Sequence, residues 1–111
     1  GDSADNLIEL GKRHHQAAAL KDAISCYEQA LGKAPNHPEA LHYLGILHAQ
    51  SGNTALAIDL IRKSTQLDPA NPIFANNFAT TLHRAGKLEE AAENYIHGIF
   101  QNIKDFNVAG N

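Results

Sequence analysis

PEALHYLGILHAQSGNTALAIDLIRKSTQLDPAN, residues Pro38 to Asn71, decides the fold, because sliding it thirty-four residues toward either end lands on a variant of itself. Leu10-Gly11, Leu44-Gly45 and Phe78-Ala79 fall in register, as do Ala23-Ile24, Ala57-Ile58 and Ala91-Ala92. Tyr27, Ile61 and Tyr95 then align, followed by Ala30, Ser64 and Gly98, and finally by Pro35 and Pro69, a column that Ile103 breaks. A fixed period of this length implies stacked supersecondary units, since one such unit cannot bury its apolar face alone. The spacing predicts units over about 4–37, 38–71 and 72–105, each a helix, a break and a second helix.

Working outward, the central unit opens on Asn36-His37-Pro38-Glu39, where proline suits the first helical position and glutamate favours the positive helix start. Its first helix is expected from Pro38 to about Ser51, and its second, capped by Asn53 or Thr54, to about Leu67 before Asp68-Pro69. Toward the start of the chain, Leu7, Leu10, His14 and Ala17 recur at helical spacing after Ser3 or Asp5 as cap. Ala18 stands where the other units have Gly52 and Gly86, the residues that take the left-handed conformation ending a helix. A tighter or less regular turn is expected there, before a helix from Asp22 to Gly32. Toward the end of the chain, Asn71-Pro72 opens a helix to Arg84, Gly86 breaks it, and a last helix starts at Leu88. Ile96, Ile99, Phe100, Ile103 and Phe106 continue at helical spacing with no breaker before Gly110, so this helix should overrun to about Phe106. Residues 106–111 read as a tail or as the first six positions of a truncated fourth unit. The apolar end, with the start at Gly1, reads as a piece of a longer chain or as a surface that pairs with something.

The 111 residues suit one domain, and 43% hydrophobic residues supply a core. A net charge of −3, with nine basic residues scattered along the chain, lacks the footprint of a phosphate-backbone binder, so nucleic acid is not an expected partner. The single Cys26 rules out an internal disulfide and a cysteine-rich zinc site, and fits a reducing, cytoplasmic setting. No apolar run approaches the ~18 residues of a membrane span, so insertion is not expected.

These residues resemble the tetratricopeptide repeat, whose unit pairs helix A (a large residue, then Leu-Gly, then a bulky residue) with helix B (Ala, an aromatic, Ala and Pro). Leu41, Leu44, Gly45, His48, Ala57, Ile61, Ser64 and Pro69 carry the pattern in the central unit. Leu7, Leu10, Gly11, His14, Ala23, Tyr27, Ala30 and Pro35 do so in the first, and Ala75, Phe78, Ala79, Leu82, Ala91, Tyr95 and Gly98 in the third. The resemblance implies an all-α, right-handed superhelical solenoid of three antiparallel helix-turn-helix repeats with an extended C-terminal helix. Small residues let helices A and B approach while large ones fill the space between units, and removing Leu44 should cost about 2–5 kcal/mol.

It also implies a concave groove lined by the A helices. Carried over register by register, the groove takes Asp5, Ile8, Lys12, His15 and Gln16 from the first unit and Glu39, His42, Ile46, Ala49 and Gln50 from the second. The third supplies Ile73, Asn76, Thr80, His83 and Arg84. Asn77 matches the asparagine that holds peptide backbone in O-GlcNAc transferase-like repeats, although Glu9 and Tyr43 stand at its equivalents. A clamp for carboxylate tails is disfavoured, because Ile8, Tyr43 and Thr80 stand where it needs polar or cationic groups. The central unit is also similar to bacterial repeats preceding transferase domains.

Of the seven histidines, His14 and His48 fall between helices A and B, His37 at a helix start, His97 on the outer side, and His15, His42 and His83 toward the groove. His15 and His42 together, without a nearby cysteine or carboxylate, make a poor zinc site, so neither metal nor cofactor is expected. With no HExxH, phosphate loop or GxSxG turn, catalysis is not expected either. The resulting expectation is a module that binds an extended peptide or protein segment in the groove. One alternative is self-association through Ile96, Ile99, Phe100, Ile103 and Phe106; another is a regulatory or substrate-recruiting appendage of a transferase.

Overall fold

A computed structural model describes residues 3–110, with side chains except at positions 88, 89 and 107–110. Among the described residues the regular structure is helical: α1 (Ala4–Gln16), α2 (Leu20–Lys33), α3 (Pro38–Gln50), α4 (Thr54–Leu67), α5 (Pro72–Arg84) and α6 (Leu88–Gly110). Consecutive helices pair as α1–α2, α3–α4 and α5–α6, and α2 then packs on α3 as α4 does on α5. The three first helices start at Ala4, Pro38 and Pro72, spaced by the same thirty-four residues as the sequence pattern.

Local chemistry sets these boundaries. The Ser3 hydroxyl accepts from the Asn6 amide, and Asn71 Oδ1 accepts from the amides of Ile73 and Phe74. Pro38 and Pro72 occupy first-turn positions, where a missing N–H costs nothing. Asn53 precedes α4 without a side-chain capping bond.

The turn after α1 corrects one expectation. The Ala18 amide donates to His15 O and the Ala19 amide to His14 O, at 3.0 and 2.8 Å. Gly52 and Asn53 bond to Ala49 O and His48 O, and Gly86 and Lys87 to His83 O and Leu82 O, in the same pattern. The three turns are therefore alike, and Ala18 is driven to φ 60° to match Gly52 at 87° and Gly86 at 81°. Satisfying two helix-end carbonyls outweighs the left-handed penalty on one alanine.

Two apolar clusters fill the stack. In the first, Leu7, Ile8, Tyr27, Ala40, Leu44 and Leu47 meet between the first two hairpins. In the second, Ile58, Ile61, Phe78, Leu82 and Ala91 join the second hairpin to the third. Gly11 and Gly45 determine how close paired helices lie. A Cβ on Gly11 would sit 2.6 Å from Tyr27 Cε1, and one on Gly45 2.5 Å from Ile61 Cγ1 and 3.2 Å from the Ala57 carbonyl oxygen. Cys26 is buried, as its helix register suggests, and burial raises its thiol pKa. The α6 helix runs on past Phe106 to Gly110.

Candidate functional site: the wall of first helices

Helices α1, α3 and α5 meet through polar side chains that cross from one to the next. Lys12 Nζ on α1 lies 3.2 Å from Glu39 on α3 and 3.2 Å from Glu9, and 4.9 Å above the Tyr43 ring. Partial burial of Lys12 works to lower its pKa, but its hydrogen bonds to Glu39 and Glu9 prevail and raise it. His15 Nε2 meets Gln50 Oε1 at 3.1 Å, again joining α1 to α3. At the start of α3, His37 pairs with Asp5 at 2.9 Å.

Between α3 and α5 the contact is buried. His42 is 1% exposed, stacks on Phe74 with centroids 4.4 Å apart, and meets the edge of Tyr43 at 5.3 Å. Asn77 Nδ2 lies 3.1 Å from His42 Nε2 and donates to it when the ring is neutral, which places the ring proton on Nδ1. Among the described residues Nδ1 is buried without a partner. Burial lowers the His42 pKa to about 4, so the neutral ring prevails at pH 7.

This placement corrects the expectation that His42 faces the groove: it lies within the wall and supports Asn77. Ile8 is also buried in the first cluster rather than lining an open face. The His15 ring meets Gln50 and the His42 ring meets Asn77. Thr80 is half-buried, donates to Asn76 O at 3.0 Å and lies 3.3 Å from Tyr95 Oη. Gln16, Asn76, His83 and Arg84 are exposed, and among the described residues their side chains make no hydrogen bond within the chain. Arg84 borders a small recess of about 70 Å³ with Ala49, Thr54 and Thr81.

A larger recess of about 360 Å³ opens where α3 and α5 begin, with Pro38, Glu39, Tyr43, Ile73 and Phe74 among its walls. Ile73 is 65% exposed there. Tyr43 was not singled out as a contact in the sequence, yet it forms part of this surface, held by stacking on Tyr27 at 5.8 Å. The cross-helix pairs had a signal that went unused: His15 to Gln50 and His42 to Asn77 are both thirty-five residues apart, one more than the repeat. Among the described residues, no three of His, Cys, Asp or Glu converge as metal ligands would. No helix there is long and apolar enough to cross a membrane.

With this geometry in view, a family profile described as tetratricopeptide repeat matches residues 8–72. The Protein CTR9 homolog of Arabidopsis thaliana is 35% identical over 60 residues, 54% of this chain and 6% of that protein. Among solved structures, MamA superposes with a TM-score of 0.86 at 18% identity, over 95% of this chain and 61% of that one. The Thermobaculum terrenum O-GlcNAc transferase gives 0.84 at 26% identity, over 88% of this chain and 19% of that one. The Yersinia enterocolitica type III secretion translocator chaperone SycD gives 0.83 at 20% identity, over 99% and 85%. MamA and SycD thus share the helical solenoid fold, and the chain spans only a small part of the Arabidopsis protein's length.

Proposed function

Because the chain belongs to the tetratricopeptide repeat family, we propose that it is an interaction module holding an extended segment of a partner protein against the wall of α1, α3 and α5. The observation that carries this is the division of labour among the wall's polar groups. Lys12, His15, Gln50, His42 and Asn77 are engaged in cross-helix contacts, while Gln16, Asn76, His83 and Arg84 have unengaged donors and acceptors. Amides such as Gln16 and Asn76 both donate and accept, and so can pair with an extended backbone whatever its side chains. Arg84 and His83 supply donors for carbonyls or carboxylates, and the recess beside Tyr43 and Ile73 suits one apolar side chain. The partner is thus a protein segment, and the role is that of a scaffold.

Selection of binders from a displayed library of random peptides tests this. Asn76→Ala combined with Arg84→Ala should weaken the selected peptides at least tenfold without changing the helical circular-dichroism signal. Equal binding by wild type and variant would remove the proposal. A second use, recruitment of substrates to a transferase, draws on the likeness to the Thermobaculum terrenum enzyme, and it employs the same wall.

A further inference from the structure

Independently of the groove, we propose that α6 pairs with α6 of a second copy of this chain in an antiparallel, two-fold dimer. Ile96, Ile99, Phe100, Ile103 and Phe106 are 55, 58, 60, 50 and 75% exposed. Their repeat equivalents show that stacking one more hairpin does not account for Ile96, Phe100 and Ile103. Ile96 stands in the column of Glu28 and Arg62, Phe100 in that of Gly32 and Gln66, and Ile103 in that of Pro35 and Pro69. All but the half-buried Arg62 are exposed. A hairpin stacked as α3 is on α2 would cover Ile99, which shares the column of Leu31, and leave Ile96 and Phe100 in water.

The spacing identifies a different cover. Ile96, Ile99, Ile103 and Phe106 follow one another at intervals of three, four and three, the seam of a two-helix coil, with Phe100 flanking it. The occupant is therefore a helix lying along α6. Length agrees: α6 has 23 residues against 14 in each of α2 and α4. Gly98 lies level with Pro72, the first residue of α5, since a Cβ there would be 3.6 Å from Pro72 O. The helix beyond it thus runs past α5 and leaves room for a second copy. In the antiparallel register Ile99 faces Ile103 of the partner subunit, Ile96 faces Phe106 of the partner subunit, and the two bodies lie at opposite ends of the seam.

The area is adequate. With the two phenylalanines able to bury about 150–250 Å² each and the three isoleucines less, five large residues at least half exposed offer on the order of 500 Å² of apolar surface per copy. That is the size of the largest patch on a typical monomer, which is often functional, and two copies together bury about 1,000 Å² of it, the threshold for a specific interface. Two-fold pairing also closes the assembly, unlike end-to-end stacking.

Sedimentation equilibrium of the 111-residue chain across a wide concentration series tests the proposal. Wild type should behave as a reversible monomer–dimer system. Ile99→Asp and Ile103→Lys should each weaken dimerisation roughly tenfold or more, as loss of a buried anchor does, with unchanged circular dichroism. Mixed in equal amounts, the two variants should recover the dimer, because the aspartate of one faces the lysine of the other. Phe100→Ser, beside the seam, provides a milder variant if either charge disturbs α6, and it too should weaken the dimer. A wild type that stays monomeric throughout, variants that dimerise undiminished, or a mixture that remains monomeric would each overturn the proposal.

Discussion

Replacing Ala18 by glycine should stabilise the protein, although it removes a methyl group and puts a flexible residue into a turn. Ala18 holds φ 60° because the turn after α1 reproduces the hydrogen bonds made where Gly52 and Gly86 stand. An L-residue in the left-handed region costs about 1–2 kcal/mol, and the greater freedom of glycine in the unfolded chain returns roughly 0.4–1 kcal/mol of that. The methyl is exposed, so packing changes little. The net expectation is about 1 kcal/mol, or roughly 4 °C in Tm for a domain of this size. Urea melts should show a higher midpoint at unchanged slope. Hydrogen exchange should slow most at the Ala19 amide, whose bond to His14 O depends on this turn. Gly52→Ala and Gly86→Ala serve as mirror controls. An added Cβ at either meets nothing within 4 Å, so their losses would report backbone strain alone. An Ala18→Gly protein no more stable than wild type, or alanine tolerated without loss at Gly86, would refute the reasoning.

Gly45→Ala should destabilise by about 1–2 kcal/mol in denaturant melts, because overpacking against Ile61 and the Ala57 carbonyl exceeds the gain of roughly 0.5–1 kcal/mol in helix propensity. Tyr27→Phe should raise the thermal midpoint, since it removes a buried hydroxyl that has no partner among the described residues, a defect of about 1–3 kcal/mol. Its phenol pKa, pushed up to about 12 by burial, leaves no ionised form to lose at neutral pH. For pH, the folded His42 pKa is about 4 against an ordinary 6.5, so the unfolded chain takes up the proton first. The His42 contribution is complete above pH 6.5 and is lost as pH falls toward 4, by about 3 kcal/mol at about 1.4 kcal/mol per pH unit. His42→Leu should flatten that part of the stability–pH curve, and a curve of unchanged steepness would count against the assignment.

The helix boundaries were legible in the sequence because proline, asparagine and glycine act locally: Asn71-Pro72 starts a helix in any context that permits one. Ala18 was misleading for a related reason, since its own preference opposes the turn and only two hydrogen bonds, from Ala18 to His15 and from Ala19 to His14, overrule it. The wall was half legible. Repeat register gives the face a residue occupies, and by it Lys12, Gln50, Asn76 and Arg84 are assigned to the wall. It does not give how far the next first helix overlaps that face. Phe74 covers His42, a contact between helices in different hairpins that no single repeat encodes. The far end of α6 is not legible, because the last large apolar residue at helical spacing is Phe106 while the backbone continues to Gly110.

Gly11 and Gly45 have an implication for redesign. They fix the gap between paired helices through contacts with Tyr27 and Ile61, both fully buried, whereas Gln16, Asn76, His83 and Arg84 are exposed. Spine and wall are thus written in separate alphabets: Gln16, Asn76, His83 and Arg84 can be exchanged wholesale for another recognition surface while the glycines keep the stack's pitch unchanged.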